Sequence, residues 1–502
     1  MRKGCLLLLL SASVVHGDAG VITGPVTINA SFDGQGGPIG TAQTAPDVGG
    51  AAAIAQVLDA VSGAVTVRDA VTTQPIVSFT AAQFWNAAGI AGTPNAFAQR
   101  AVFDPISQRW YVSAEEAKSG PNRVYLAISA SNDATGAWKS LALPAQSAMI
   151  ANTRLAVDSA GVYLTGDVAG TGVVMALPIA DLTWSGSAAP SAANLNVLPT
   201  ATTGVVPAID PSDSVQSDRR FFIARDVAAN GDTAIDVYAL RWTGTQASLV
   251  ALTPVDFGTT LSPPSRGAVQ PAPGPALAVG SGALANATAN NGVIAGIAMT
   301  EAAGELGAWW FELYADPSTD SPPNEQQTGF ISDPSADLLA PAIAIASDLS
   351  IGVVVGRTSA TDAPGIYVTG QGIGDDYGTM RGLVQVRPGV APYSCAPVGG
   401  TSAYGRYSSI ASTATGFWAV AQFGASATAC TFGTTWINFS LPSSFHPGDD
   451  FFGEDDAGFP PHSHDPSAGC GGCATGNDAT PLAWLGVAAL LLRRRSRPKS
   501  RL

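Results

Sequence analysis

Tyr404, Arg406 and Tyr407 place two phenols and a guanidinium close together in the chain, and Glu301, Glu305 and Glu312 offer carboxylates upstream. A tyrosine or carboxylate nucleophile, a second carboxyl and a cluster of arginines are the groups that cleave a glycosidic bond. Glutamate is sparse, and spacing alone does not bring these side chains together. Histidine sets a firmer boundary. The four histidines are His16, His446, His462 and His464, so none lies between residues 20 and 445. That excludes a Ser-His-Asp triad, a Cys-His pair and a His-Glu-x-x-His zinc site from this stretch. Calcium needs only oxygen ligands. Asp316, Asp320, Asp375 and Asp376 could contribute them, but none stands in a calcium-loop pattern, and solvated turn carboxylates are the better reading. No cofactor is expected; calcium stays an option with no site assigned. Gly370-Gln-Gly372-Ile-Gly374 is followed by Asp375-Asp376 and by no helical pattern, so it reads as a loop and not a phosphate cradle.

These groups need a scaffold, and the pattern around them is β throughout. Ala101–Ala114 reads as strand, Asp104-Pro105 turn, strand. Arg154–Asp167, Pro341–Arg357 and Arg406–Phe423 repeat the arrangement, with β-branched and aromatic residues around Gly, Asp or Ser turns. Such units begin near residues 100, 154, 205, 268, 341 and 406, and Ile54–Phe79 adds a segment that begins or closes the series. This spacing suits four-stranded blades, so the fold class is all-β: a β-propeller of six or seven blades, with tandem β-sandwiches as the alternative. Convincing amphipathic helices of a dozen residues are absent from the pattern. Cys395 and Cys430 fall inside this body, and an oxidising compartment favours a disulfide between them over two buried thiols.

The ends supply the compartment. Arg2 and Lys3 precede the apolar run Leu6–Val15 and a small-residue exit, which reads as a signal peptide over residues 1–19. A β-body follows over 20–445, then an acidic Pro/Gly linker over 446–469 and a tail over 470–502. The linker's His462, His464 and Asp465 read as part of a solvated spacer. Cys470-Gly-Gly-Cys473 has no second ligand pair for zinc and no redox fold around it. The formal net charge is −14 and the arginines of the body are scattered, so nucleic acid is excluded as a partner.

Three resemblances follow from these residues. The order of Pro46–Asp69, Ala101–Trp138, Pro341–Met380 and Tyr404–Phe423 resembles large secreted bacterial proteins with propeller-like bodies. Ser131-Asn-Asp133-Ala-Thr-Gly136-Ala-Trp138 is similar to the Asp-box of sialidase-like propellers, with Gly136 one place late; that likeness implies a structural hairpin turn. The arginine–isoleucine–proline element of sialidases is absent. The tail resembles the MYXO-CTERM type of C-terminal sorting signal: a cysteine patch at Cys470 and Cys473, an apolar helix containing Trp484, then Arg493, Arg494, Arg495 and Arg497. It implies a transient membrane helix oriented by those arginines, a sorting protease as partner, and display on the cell surface. The apolar stretch is short for a span of about 20 residues, which suits a segment meant to be cut.

The expectation is an exported surface propeller with a binding or adhesion role toward a glycan or other surface ligand, not an enzyme. An extracellular sialidase-like carbohydrate-active enzyme and a structural envelope protein are the alternatives.

Overall fold

The computed structural model describes residues 25–442, except 39–44, 62, 93, 183–188, 212–217, 317, 320, 396, 399 and 415. The expected signal peptide and acidic linker, Cys470–Cys473 and the Arg-rich tail lie outside these residues, as does Asp320.

Seven antiparallel four-stranded sheets follow one another along the chain, one of them with an extra short strand. Their innermost strands are Val48–Ala52, Ala96–Asp104, Ile150–Val157, Val206–Ala208, Leu284–Asn290, Asp337–Ile345 and Ser409–Thr413, which define blades 1 to 7. Each inner strand lies against that of the next blade, and Ser409–Thr413 returns to Val48–Ala52. The ring therefore closes as a seven-bladed propeller, and tandem sandwiches are ruled out because no two sheets pair off face to face apart from the ring. Among the described residues, seven apolar clusters fill the seams. One joins Val65 and Trp85 to Trp110 and Tyr125, another joins Phe221 and Ile235 to Trp309 and Phe311. Alternation along each strand sends side chains to the two neighbouring seams, which is why the blades read as continuous apolar runs.

One expectation needs correction. The unit near residue 268 does not open a blade; blade 5 starts at Leu284. Pro263, Pro264, Pro271, Pro273 and Pro275 deny ladder donors to that stretch, and it forms a loop with isolated bridges from Ala268 to Leu277 and from Leu277 to Ser402. Ile54–Phe79 begins the ring, as strands of blade 1. Thr27–Pro38 closes it, pairing with Thr431–Ser440 as the outer strand of blade 7. A short helix, Ala81–Ala87, was not legible as an element; Thr80 and Gln83 form its capping box and Phe84 and Trp85 its buried side. Gly370 and Gln371 end the strand Gly365–Gln371, and the turn begins at Gly372.

Candidate functional site

The inner strands of blades 2, 3, 5 and 6 carry register shifts at Phe97/Arg100, Ala151/Arg154, Leu284/Asn286 and Leu339/Ala342. Ala98, Asn152 and Ala340 sit there with positive φ. A bulge bends its strand and re-aims the next side chain. In blades 2 and 3 the residue after the bulge is arginine, and both arginines reach the channel axis.

There they meet Tyr407. The guanidinium carbons of Arg154, Arg100 and Arg406 lie 3.9, 4.2 and 5.1 Å from the centre of its ring. Cation–π attraction favours each contact, and the ring keeps like charges apart. Arg100 is buried; its Nε donates to Thr153 O (3.3 Å) and its Nη1 to Gln99 O (2.9 Å). Burial, then the nearby Arg154, lowers the Arg100 pKa from its ordinary value. Arg154 spans to blade 5, its Nε donating to Ala285 O (3.2 Å) and its Nη1 to Asn152 O (2.9 Å). Arg406 donates from Nη1 to Asn152 Oδ1 (2.7 Å) and from Nη2 to Asp47 Oδ2 (3.2 Å). Its side chain remains 41% exposed, so it is the arginine most open to solvent.

Two carboxylates accompany the three arginines. Burial would raise Asp47, but Arg406 and Arg100 outweigh it and hold the group below its usual range. Glu115 is buried on the second strand of blade 2, and burial pushes its pKa up. Its Oε1 accepts from Thr153 N (2.8 Å) and Thr153 Oγ1 (3.0 Å). The cluster thus holds three cations against one secure anion and one carboxyl whose charge is disfavoured.

Tyr407 and Arg154 partition the channel. On the side where the inner strands begin lies a mouth chamber of about 340 Å³, lined by Asn152, Arg154, Asp167, Gly204, Gly282 and Arg406 among others. On the far side lies a tunnel chamber of about 270 Å³, whose lining shares Arg154, Ala285 and Tyr407 with the mouth. The loop before blade 7 sets Arg406 and Tyr407 in place. Gly405 N donates to Gln422 Oε1 (3.1 Å), and a Cβ at Gly405 would clash with that same oxygen, 2.3 Å away. Cys395 and Cys430 form the expected disulfide within this loop system.

The expected constellation is only partly assembled. Arg406 and Tyr407 stand at the axis, but Tyr404 is buried away from it, donating to Gln422 O (3.0 Å) and lying edge-on to Tyr393. Glu301 accepts from Ser265 (2.7 and 2.8 Å), Glu305 opens the third strand of blade 5, and Glu312 faces Gln327. The carboxylates near the axis are Asp47 and Glu115 instead. A signal for the missing arginines existed: Arg100-x-x-x-Asp104 and Arg154-x-x-x-Asp158 each precede a hairpin whose backbone amides the aspartate accepts. Of the other candidates, Asp133 accepts from Thr135 N (2.9 Å), Ser131 Oγ accepts from Asp133 N (3.3 Å), Gly136 N donates to Asp133 O (3.1 Å), and Trp138 Nε1 donates to Ala134 O (2.9 Å) in a blade 2 hairpin remote from Tyr407. Asp375 pairs with Arg381 (2.7 Å), and Asp316 caps Ser318 (2.8 Å). No group of three His, Cys, Asp or Glu that could hold a metal ion occurs among the described residues. No helix among them is long and apolar enough to cross a membrane.

No protein-family model matches the chain, and no curated protein matches it. Solved structures do resemble it. Extracellular domains 1–2 of Drosophila semaphorin 1a are 9% identical over 81% of this chain and 88% of that one, with a TM-score of 0.38. A hypothetical selenium-binding protein from Sulfolobus tokodaii is 10% identical over 66% and 78%, TM-score 0.38. An exo-β-1,3-galactanase from Phanerochaete chrysosporium is 10% identical over 82% and 97%, TM-score 0.31. These likenesses concern the fold alone; the blade assignment stands on this chain's own sheet pairing.

Proposed function

We propose that this chain is an exported cell-surface protein whose propeller captures an acidic ligand, a sugar bearing a carboxylate, in the mouth chamber. The observation that carries the reading is the pair Arg154 and Arg406, which line one chamber around Tyr407 in an otherwise acidic protein. Guanidinium groups match carboxylates in geometry as well as charge, and the chamber has the volume of a small-molecule site. Surface display rests on the signal-like N-terminus and the sorting-type tail, with a sorting protease and a transient membrane contact as the partners that tail implies.

Binding is favoured over glycosidic cleavage because both carboxylates of the cluster are engaged: Glu115 Oε1 accepts from Thr153 N and Oγ1, and Asp47 accepts from Arg406. Titration calorimetry with galacturonate and galactose tests the reading. Galacturonate is expected to bind, galactose not measurably, and Arg406→Ala should weaken galacturonate by at least about tenfold. Equal binding of the neutral sugar would sink the proposal, and turnover of a chromogenic uronide would replace it with the enzyme reading. For the address, Cys470→Ser with Cys473→Ser should leave the tail uncut and reduce surface display in fractionated cells. Unchanged processing would reject the sorting role.

A further inference from the structure

The tunnel chamber differs from the mouth in chemistry. Its walls include Val48, Ala101, Leu155, Val206, Ala287 and Ile410, and its inner end is closed by Arg100, Arg154 and Tyr407. Asn286, Thr288, Ser408, Ser409 and Ser412 interrupt these walls, but most of the lining is apolar, and a mostly apolar chamber that ends on guanidinium groups is complementary to an aliphatic chain with an anionic head. We infer that the tunnel chamber binds a medium-length aliphatic monocarboxylate, its chain along the apolar walls and its carboxylate against Arg154. This goes beyond the mouth-chamber reading and does not depend on a sugar binding there.

Three observations support the assignment. The volume of about 270 Å³ is that of a small-molecule site and accommodates a medium-length chain. Arg100 is only 7% exposed, and its Nη2 makes no hydrogen bond among the described residues, so a donor beside the chamber stays uncommitted. Arg100, Arg154 and Arg406 surround Tyr407 with Asp47 as the one secure anion beside them, so the closed end of the chamber keeps net positive charge for a carboxylate. A dianion such as a phosphate monoester would bring excess charge against apolar walls. An uncharged alcohol would leave the guanidinium groups unmatched.

The test uses the full-length protein and calorimetric titration with butanoate, hexanoate, octanoate and octanol. Affinity is expected to climb roughly fourfold with each added methylene, and octanoate should exceed octanol by at least about tenfold. Ala411 lines the tunnel, is half-buried and is absent from the mouth lining. Ala411→Trp should abolish octanoate binding and the milder Ala411→Leu weaken it, while both leave galacturonate binding in place. A flat chain-length series, octanol binding as tightly as octanoate, or full octanoate binding by both Ala411 variants would each overturn the inference. Loss of galacturonate binding with octanoate binding intact would count against the mouth-chamber reading alone.

Discussion

Asp59→Asn is expected to stabilise the protein at pH 8 and to change little at pH 4. Asp59 lies on the second strand of blade 1 with no exposed surface. The closing strand wraps over it: Gln35 Nε2 donates to Asp59 O (3.1 Å), and a Cβ at Gly34 would stand 2.9 Å from Asp59 Oδ2. Its nearest cation is Arg68, with Nε 3.7 Å from Oδ2. Burial outweighs that partner and raises the Asp59 pKa to about 7. The sign follows from linkage. Below the unfolded value of about 3.9 both states are protonated and the site is neutral. As pH rises from there to 7 the unfolded chain releases its proton while the folded one retains it, so stability falls. Above 7 the folded protein carries a buried, poorly matched anion. The full penalty is roughly 4 kcal/mol before any relaxation, and asparagine removes it. Arg68 keeps its donation from Nη2 to Gly34 O (2.7 Å), so the variant does not strand it. Thermal midpoints measured from pH 4 to 8 should diverge between wild type and variant across this window. Parallel curves would show that Asp59 is ionised and satisfied in the folded state.

Asp59 also shows what kind of information a single sequence hides. Its neighbours Gly34 and Gln35, and Thr434, which accepts from Gln35 N (2.8 Å), come from opposite ends of the body, joined only because Thr27–Pro38 pairs with Thr431–Ser440. Local pattern was enough to see the blades, because strand alternation and Asx turns such as Asp104 and Asp158 act within a few residues. It was enough to mark Arg406 and Tyr407, which are adjacent in the chain. It failed for Arg100, Arg154, Asp47 and Glu115, whose meeting depends on ring closure and on bulges that re-aim two side chains. The glutamates offered instead lie on blade 5, where strand position points them to Ser265 and Gln327. The loop near residue 268 reads as a strand because its apolar residues are real: Ala268 and Leu277 are buried, but against Tyr393 and Tyr404 and not in a blade.

That buried loop is why the Cys395–Cys430 bond should matter to binding as well as to stability. The two cysteines are separated by 35 positions, and cross-linking a loop of that length restricts the unfolded chain by roughly 3–4 kcal/mol in the chain-entropy account. The bond also anchors a tight local lattice. Cys430 N donates to Ser394 O (2.6 Å), Cys395 N to Ser402 Oγ (2.7 Å), and Tyr393 N to Gln270 Oε1 (2.8 Å). The same segment runs on through Tyr404 and Gly405 to Arg406 and Tyr407. Cys395→Ser, Cys430→Ser and the double variant should therefore lose similar stability, since each removes the one shared bond. Galacturonate binding should weaken in all three at temperatures well below their unfolding midpoints, because Arg406 and Tyr407 lose the anchor of their loop. Octanoate binding should fall less, since Arg100 and Arg154 are held by inner-strand bulges independent of that loop. Chemical denaturation and titration on the same variants separate these effects. Equal loss of both ligands would mean that the disulfide supports the ring as a whole, whereas unaltered binding with lowered stability would free Arg406 from dependence on its loop.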